Sequence, residues 1–345
     1  MNKPFRILLA AHDAGGAAIL AALMKKYQDQ YTWFPYTCGP ATDIFRRQGL
    51  RPRTVKAQDK GEIIDILQSK KLDLVLTGTG WGSRMEFDFI QKAKDLQIKS
   101  TAFLDHWCNY RERFGYPGPW QPHLPDYIFV GDSWGYQRAI KDHFPKERVL
   151  KVENPYWQAV AESIERDTGK RAKPRTSPKV KLLFLSSPMA PHAKRQYGDE
   201  RYWGFTEYDN VDDFLDMVKD DPRLELSIRL HPAEPKDKYA YLKAKDVRIT
   251  DNQKNDLIKD CCDADIIIGC DTMALVTAWM MGRRAISYIP GNKLKATLPQ
   301  QGIVRVRSMQ ALKRHIHLFK KKDKVQYQLK SFFTQAFPKV LLNLN

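Results

Sequence analysis

Cysteine is scarce and poorly placed for structural chemistry: the five thiols, Cys38, Cys108, Cys261, Cys262 and Cys270, are odd in number and form no C-x-x-C pair. That pattern excludes a disulfide framework and a zinc knuckle, and it fits a reducing compartment. Long apolar runs are missing too. No stretch approaches the length that spans a bilayer, and the opening MNKPFRILLAAHDAGGAAILAAL is interrupted by His12 and Asp13, so it reads as strand, turn and helix rather than a signal peptide. The expected location is the cytoplasm, with the inner face of the membrane as a surface to rest on. Internal repeats and low-complexity tracts are absent, and so are RNP, zinc-finger and helix-turn-helix signatures. No metal or cofactor constellation is evident, and none is expected. Acidic residues are in deficit: 57 Lys and Arg face 40 Asp and Glu, for a net +17. The surplus is dispersed, with 23 basic and 17 acidic residues up to Asn154 and 34 and 23 beyond it. Such a balance favours anionic partners: nucleic acid, nucleotide phosphates or an acidic lipid surface.

What is present is alternation. At 345 residues, 43% of them hydrophobic, the chain suits two domains rather than one core. In the first half the apolar runs Phe5 to Ala10, Tyr31 to Thr37, Leu72 to Thr77, Lys99 to Leu104, Tyr127 to Val130 and Arg148 to Val152 read as strands. Helical patterns lie between them at Ala17 to Tyr27, Gly61 to Gln68, Glu86 to Leu96 and Trp134 to His143. Strands alternating with helices imply right-handed crossovers and a parallel sheet covered on both faces. The charged stretch ERDTGKRAKPRTSPK at 165–179 reads as a linker. Strands then resume at Val180 to Leu185, Leu224 to Leu230, Val247 to Ile249, Asp265 to Ile268 and Arg284 to Tyr288, with helices at Val211 to Val218, Asn255 to Asp260 and Met273 to Met281. The predicted fold is α/β, two Rossmann-like doubly wound domains facing a cleft. The first spans residues 1–164 and the second 180–309, and a basic helical tail at 310–345 returns to the first.

Ligands of open α/β sheets bind beyond the carboxyl ends of the strands, so the residues just after each strand matter most. His12-Asp13-Ala14-Gly15-Gly16 follows the first strand. Its glycines permit a tight turn and close approach of a ligand to a helix N-terminus, and Asp13 serves there either as a helix cap or as a general base. The order of glycines does not match the G-x-G-x-x-G dinucleotide fingerprint. Thr77-Gly78-Thr79-Gly80-Trp81-Gly82-Ser83 and Asp105-His106-Trp107 follow later strands, and each has a structural reading beside the functional one. With Asp13 they outline an acceptor pocket. In the second half, Ser186-Ser187, Arg229-Leu230-His231-Pro232 and Asp271-Thr272 end three strands. Hydroxyls and unpaired N–H groups at a helix N-terminus suit a phosphate, although Thr272 also reads as an ordinary cap.

A family resemblance rests on the second half. His231-Pro232 at a strand end, then Asn255 and Asp256, then ADIIIGCDTMALVTAWMMGRRAISYIPG resembles the donor domain of GT-B glycosyltransferases and their relatives, among them nucleotide-sugar 2-epimerases, CDP-glycerol polymerases and bacterial sialyl- and Kdo-transferases. Two departures stand out: Gly282-Arg283-Arg284-Ala285 lacks the family's proline, and Val152-Glu153-Asn154-Pro155 carries Glu153 where a Gly-Asn-Pro is usual. A glutamate that reads ribose hydroxyls is missing from the helix after Thr272. The resemblance implies that Ser186, Ser187, Arg229, His231, Pro232, Asp271 and Thr272 contact the donor nucleotide and that Asp13, with His12 beside it and Asp105 and His106 nearby, removes a proton from the acceptor. The expected activity is a metal-independent inverting glycosyltransferase that moves a sugar from a nucleotide-sugar donor to a polysaccharide or lipid-linked acceptor. A nucleotide-sugar 2-epimerase or hydrolase would use the same cleft. A basic nucleic-acid-binding protein is the alternative from another class, and no nucleic-acid partner is expected. The basic surplus, with Trp107, Tyr110, Trp120 and Trp134 read as exposed aromatics, suits an anionic membrane surface.

Overall fold

The computed structural model describes residues 4–56, 59–80, 83–170, 178–245, 247–250, 257–299, 302–319 and 335–342. Trp81, Gly82, Asn255, Asp256, residues 171–177 of the expected linker, and 320–334 and 343–345 of the expected tail lie outside them. The chain divides into two compact units, Met1–Ala159 with Leu329–Asn345, and Val160–Gln328.

The first unit is built on seven strands: β1 (Arg6–Ala11), β2 (Thr32–Thr37), β3 (Arg53–Thr54), β4 (Leu74–Thr77), β5 (Ser100–Leu104), β6 (Tyr127–Val130) and β7 (Val149–Lys151). They pair in parallel in the order β3-β2-β1-β4-β5-β6-β7. Helices α1 (Ala14–Lys26), α2 (Pro40–Arg47), α3 (Lys60–Gln68), α4 (Met85–Asp95) and α5 (Ser133–Lys141) are the crossovers. Every residue of β4 and β5 is buried, as expected of a parallel sheet covered on both faces. Strand order reverses between β1 and β4, which are paired at Ala10 and Thr77. Chains leaving neighbouring strands there turn to opposite faces, opening a crevice at the carboxyl edge. His12-Asp13 and Gly78-Thr79-Gly80 leave the sheet at that point.

The second unit holds β8 (Val180–Leu185), β9 (Leu224–Arg229), β10 (Arg248–Thr250), β11 (Ile266–Gly269), β12 (Arg284–Tyr288) and β13 (Ile303–Val306), all parallel, in the order β10-β9-β8-β11-β12-β13. Its reversal lies between β8 and β11, paired at Leu185 and Gly269, so Ser186-Ser187 and Asp271-Thr272 leave from adjacent strands. Around the sheet run α7 (Met189–Tyr197), α8 (Glu207–Asp220), α9 (Leu257–Asp263), α10 (Met273–Met280) and α11 (Met309–His317).

Three sequence expectations change. Helix α6 (Pro155–Lys170) continues through the first six residues of the stretch read as a linker. Polar composition alone does not stop a helix, and the prolines that would, Pro174 and Pro178, come later. The residues read as one tail divide: Leu312 and Ile316 of α11 join the core of the second unit, whereas Phe337, Val340 and Leu341 of α12 (Phe337–Leu342) join that of the first. Glu153, the family departure, anchors α12. Its carboxylate accepts the Phe337 N–H (2.9 Å), the Tyr27 hydroxyl and the Lys26 ammonium, and its own N–H donates to the Gln335 carbonyl (2.8 Å). Burial pushes this carboxyl up, but the Lys26, Tyr27 and Phe337 hydrogen bonds outweigh it and hold the pKa below the usual range. The third change concerns the aromatics. Trp107, Tyr110 and Trp120 are at most 5% exposed, and Trp134 is half-buried. Tyr110, Phe114 and Trp120 close around Phe144 with ring centroids 4.7–6.2 Å apart, so they form a core and not a membrane-facing surface.

Candidate functional site

In the first unit, local geometry decides what Asp13 does. It occupies the N-cap position of α1 with extended backbone, yet its side chain makes no capping hydrogen bond. Instead Asp13 Oδ1 lies 2.6 Å from His12 Nδ1. That bond raises the imidazole pKa against the opposing effect of burial, and the charges of Asp13 and Glu86 add to it. The His12 main-chain N–H donates to Glu86 Oε1 at 2.7 Å. An imidazole hydrogen-bonded to a partly exposed carboxylate can accept, hold or return a proton.

Glycines of the two sequence motifs, and Gly39 after β2, make room for these polar side chains rather than leaving an open phosphate cradle. A Cβ on Gly80 would overlap the Asp13 carboxylate, one on Gly39 (φ +55°) would come 2.7 Å from His12 Nε2, and one on Gly15 would overlap the carboxylate of Asp105. Gly16 and Gly78 let backbone meet backbone, since a Cβ on Gly16 would lie 3.0 Å from the Gly78 Cα. Asp105 is therefore held over the first turn of α1, with its other oxygen paired to Arg113. Arg113 is buried and donates as well to the Thr79 carbonyl (3.1 Å) and hydroxyl, tying the loop after β4 to the loop after β5. His106 faces its own loop: Nδ1 accepts the Trp107 N–H at 2.9 Å and lies 3.3 Å from the Cys108 sulfur. The Trp107 indole N–H donates to Asp132, which caps α5 through the Gly135 N–H at 2.7 Å.

Two residues of this edge escape sequence reading. Arg113 sits in an aromatic-rich connection without periodicity, and nothing local marks it as buried. Glu86 reads as an acid in a first helical turn, where it would ordinarily be solvated. It is only 3% exposed, and burial together with the Asp13 charge pushes its pKa up to about 7.

In the second unit Ser186 is engaged within the fold. Its hydroxyl donates to Glu234 Oε1 (2.8 Å) and lies 2.7 Å from the Tyr239 hydroxyl. Glu234 Oε2 accepts the His231 N–H at 2.7 Å, while Lys238 bridges Glu234 and the fully buried Glu207. Glu207 in turn accepts the Ala190 N–H at 2.8 Å. This network fixes the backbone of His231 beside Ser186, and His231 Nδ1 accepts the Ala233 N–H at 3.1 Å. Ser187 and His231 are half-buried, and Pro232 is exposed. Thr272 caps α10, accepting the Ala274 N–H at 3.3 Å. Asp271 accepts the Thr297 N–H (2.9 Å), the Thr297 hydroxyl (2.5 Å) and the Leu298 N–H (3.2 Å), so it pins the loop after β12. Arg229, expected to bind a donor, is spent in a buried ion pair with Asp260 of α9. Strand ends β9, β8 and β11 are neighbours, and they bring His231, Ser186, Ser187, Asp271 and Thr272 to one edge beside the α10 N-terminus.

Among the described residues no group of three or more His, Cys, Asp or Glu is arranged to hold a metal ion, and no helix is long and apolar enough to cross a membrane. The chain matches no protein-family model and no curated protein. Its fold does match solved structures. UDP-GlcNAc 2-epimerase from Neisseria meningitidis, bound to UDP-GlcNAc, superposes with a TM-score of 0.68 at 15% identity over 99% of both chains. The Methanocaldococcus jannaschii UDP-GlcNAc 2-epimerase in complex with UDP-GlcNAc and UDP gives 0.66 at 11% identity, again over 99% of both. Anabaena Alr3699/HepE in complex with UDP and glucose gives 0.63 at 9% identity over 99% of each chain. The chain thus has the two-domain, parallel-sheet, Rossmann-like fold of GT-B type that these proteins share.

Proposed function

We propose that this protein is an enzyme acting on a nucleotide sugar, and that inversion at C2 of a UDP-sugar is its reaction. The observation that carries the reading is the match along 99% of both chains to an epimerase holding UDP-GlcNAc. Three features of the chain agree with it. The net charge of +17 favours a diphosphate ligand. The α10 N-terminus, with Thr272 and His231 at the same sheet edge, suits its phosphates. The His12–Asp13 pair at the other sheet's switch point supplies a proton acceptor.

Epimerisation at C2 requires a base to take the C2 proton as the C1–O bond to the diphosphate breaks, leaving a C1=C2 double bond and free UDP. Return of UDP to C1 and of a proton to the opposite face of C2 completes the inversion. In this assignment the His12–Asp13 pair is the base, and Asp105, held by Arg113, borders it. Hydrolysis and glycosyl transfer share the departure of UDP and differ in what reaches C1. Glycosyl transfer to a saccharide or lipid-linked acceptor is the second reading, and the donor-domain pattern from Ala264 to Gly291 fits it as well as it fits epimerisation.

Incubation with UDP-GlcNAc in D2O, followed by NMR, separates the three. An epimerase yields the C2 epimer with deuterium at C2. A hydrolase yields UDP and free sugar with C2 unlabelled, and a transferase leaves the donor intact until an acceptor is added. Asp13→Asn is expected to lower turnover roughly 100-fold to 10,000-fold while leaving UDP binding in place. Failure to bind UDP and to convert any UDP-sugar would refute the assignment.

A further inference from the structure

Glu86 is the buried acid at this edge that no sequence motif marks. It stands in the first turn of α4, where the helix dipole favours a carboxylate, and its Oε1 accepts the His12 N–H at 2.7 Å. Its Oε2 is buried and has no hydrogen-bond partner among the described residues. An enclosed oxygen of this kind is costly unless it carries a proton or serves an intermittent partner. From the elements packed against it, Glu86 faces His12 and Asp13 on the β1–α1 turn and the Cys38 thiol after β2. No lysine or arginine among the described residues is paired with it.

Two carboxyls and one imidazole thus meet at the β1–α1 turn, Glu86 reaching it from α4, and Gly39 and Gly80 close around the imidazole and the Asp13 carboxylate. With Asp13 ionised, the turn has one acceptable charge state near neutrality: either His12 or Glu86 holds a proton. Charging both carboxyls beside a neutral imidazole would set a buried Glu86 charge against that of the partly exposed Asp13, and such groups titrate as a set. We propose that Glu86 is a positioning residue for the His12–Asp13 pair, which fixes the turn through the His12 N–H and shares one proton with the His12 ring. A proton arriving on the His12 ring favours release of the Glu86 proton to solvent, and loss of the ring proton favours its uptake from solvent, so that the set keeps one proton. The consequence for turnover rests on the proposed function, but the sharing itself does not.

The test is an NMR titration of the full-length protein, following the His12 ring and the Glu86 Cδ signal. In the wild type both signals should move through common steps. Glu86→Gln keeps an oxygen acceptor for the His12 N–H but removes the shared proton, so His12 should titrate in one step with a midpoint below that of the wild type. The low-pH limb of kcat should move in the same direction. A folded Glu86→Gln protein with an unaltered His12 curve overturns the proposal. So does a wild-type Glu86 that titrates in one step near the ordinary carboxylate value of about 4.3. The wild-type curves decide the matter if the variant does not fold. Shared titration without turnover of any UDP-sugar would sink the epimerase reading and leave this one standing.

Discussion

Gly15→Ala separates a glycine that serves backbone flexibility from one that serves packing. On an open helix the change should stabilise by up to about 1 kcal/mol, because alanine has the higher helix propensity. Here the added Cβ would overlap the Asp105 carboxylate and lie 3.1 Å from its Cγ. A carboxylate at the end of a free side chain would swing away at little cost. Asp105 is not free: it is paired with Arg113, and the two side chains are 11% and 4% exposed. Parting a buried pair costs roughly 3–5 kcal/mol, so the net expectation is a loss of about 2–4 kcal/mol. Because the chain holds two compact units, one unfolding midpoint does not report on either alone. Hydrogen exchange at β1 and β4 amides reads the first unit directly. Repeating the substitution in an Asp105→Ala background closes a double-mutant cycle in which Gly15→Ala should become neutral or mildly stabilising. An equal cost in both backgrounds, or a gain in the wild type, would show that the carboxylate is not what fills the space above Gly15.

Glu153→Gln should destabilise the first unit by roughly 1.5–3 kcal/mol, the worth of hydrogen bonds to a charged group. The folded carboxyl titrates below its unfolded value, so its contribution is complete above about pH 4.3 and is lost as pH falls through the lower folded value. The gap between wild type and variant, measured by hydrogen exchange, should therefore close in strong acid, and a gap that widens there contradicts the assignment. His231→Ala should weaken UDP binding by roughly 1.5–3 kcal/mol, about 10-fold to 100-fold by calorimetry, without unfolding the protein. Unchanged affinity would remove His231 from the nucleotide site. Binding to anionic vesicles, resting now on the charge of +17 and on basic residues such as Lys313 and Arg314 of α11, should be present at low salt and fade as ionic strength rises. Equal binding to neutral vesicles would dismiss it.

Sequence by itself determined the elements whose signals are local. Val180–Leu185 and Arg284–Tyr288 are strands over the predicted residues, because an apolar run bounded by polar residues specifies a buried parallel strand without outside help. The alternation of such runs with helical patterns was enough for the doubly wound class. Shorter or polar elements were not legible in this way: β3 spans only Arg53–Thr54, α2 opens at Pro40, and α6 continues into a charged stretch. Strand order, and with it the two switch points that gather the candidate residues, came only from the tertiary structure. The sequence left Asp13 as cap or base, and what turned it from the helix end was a neighbouring imidazole in a space that Gly39 and Gly80 leave open. Gly15 and Gly80, on turns read as approaches for a ligand, are instead covered by Asp105 and Asp13. Glu86 meets His12 across 74 residues of sequence, and Glu153 meets Phe337 across 184. Periodicity records which face of an element is apolar, but the partner of a buried charge is fixed only when distant strands and loops are brought within a hydrogen bond of each other.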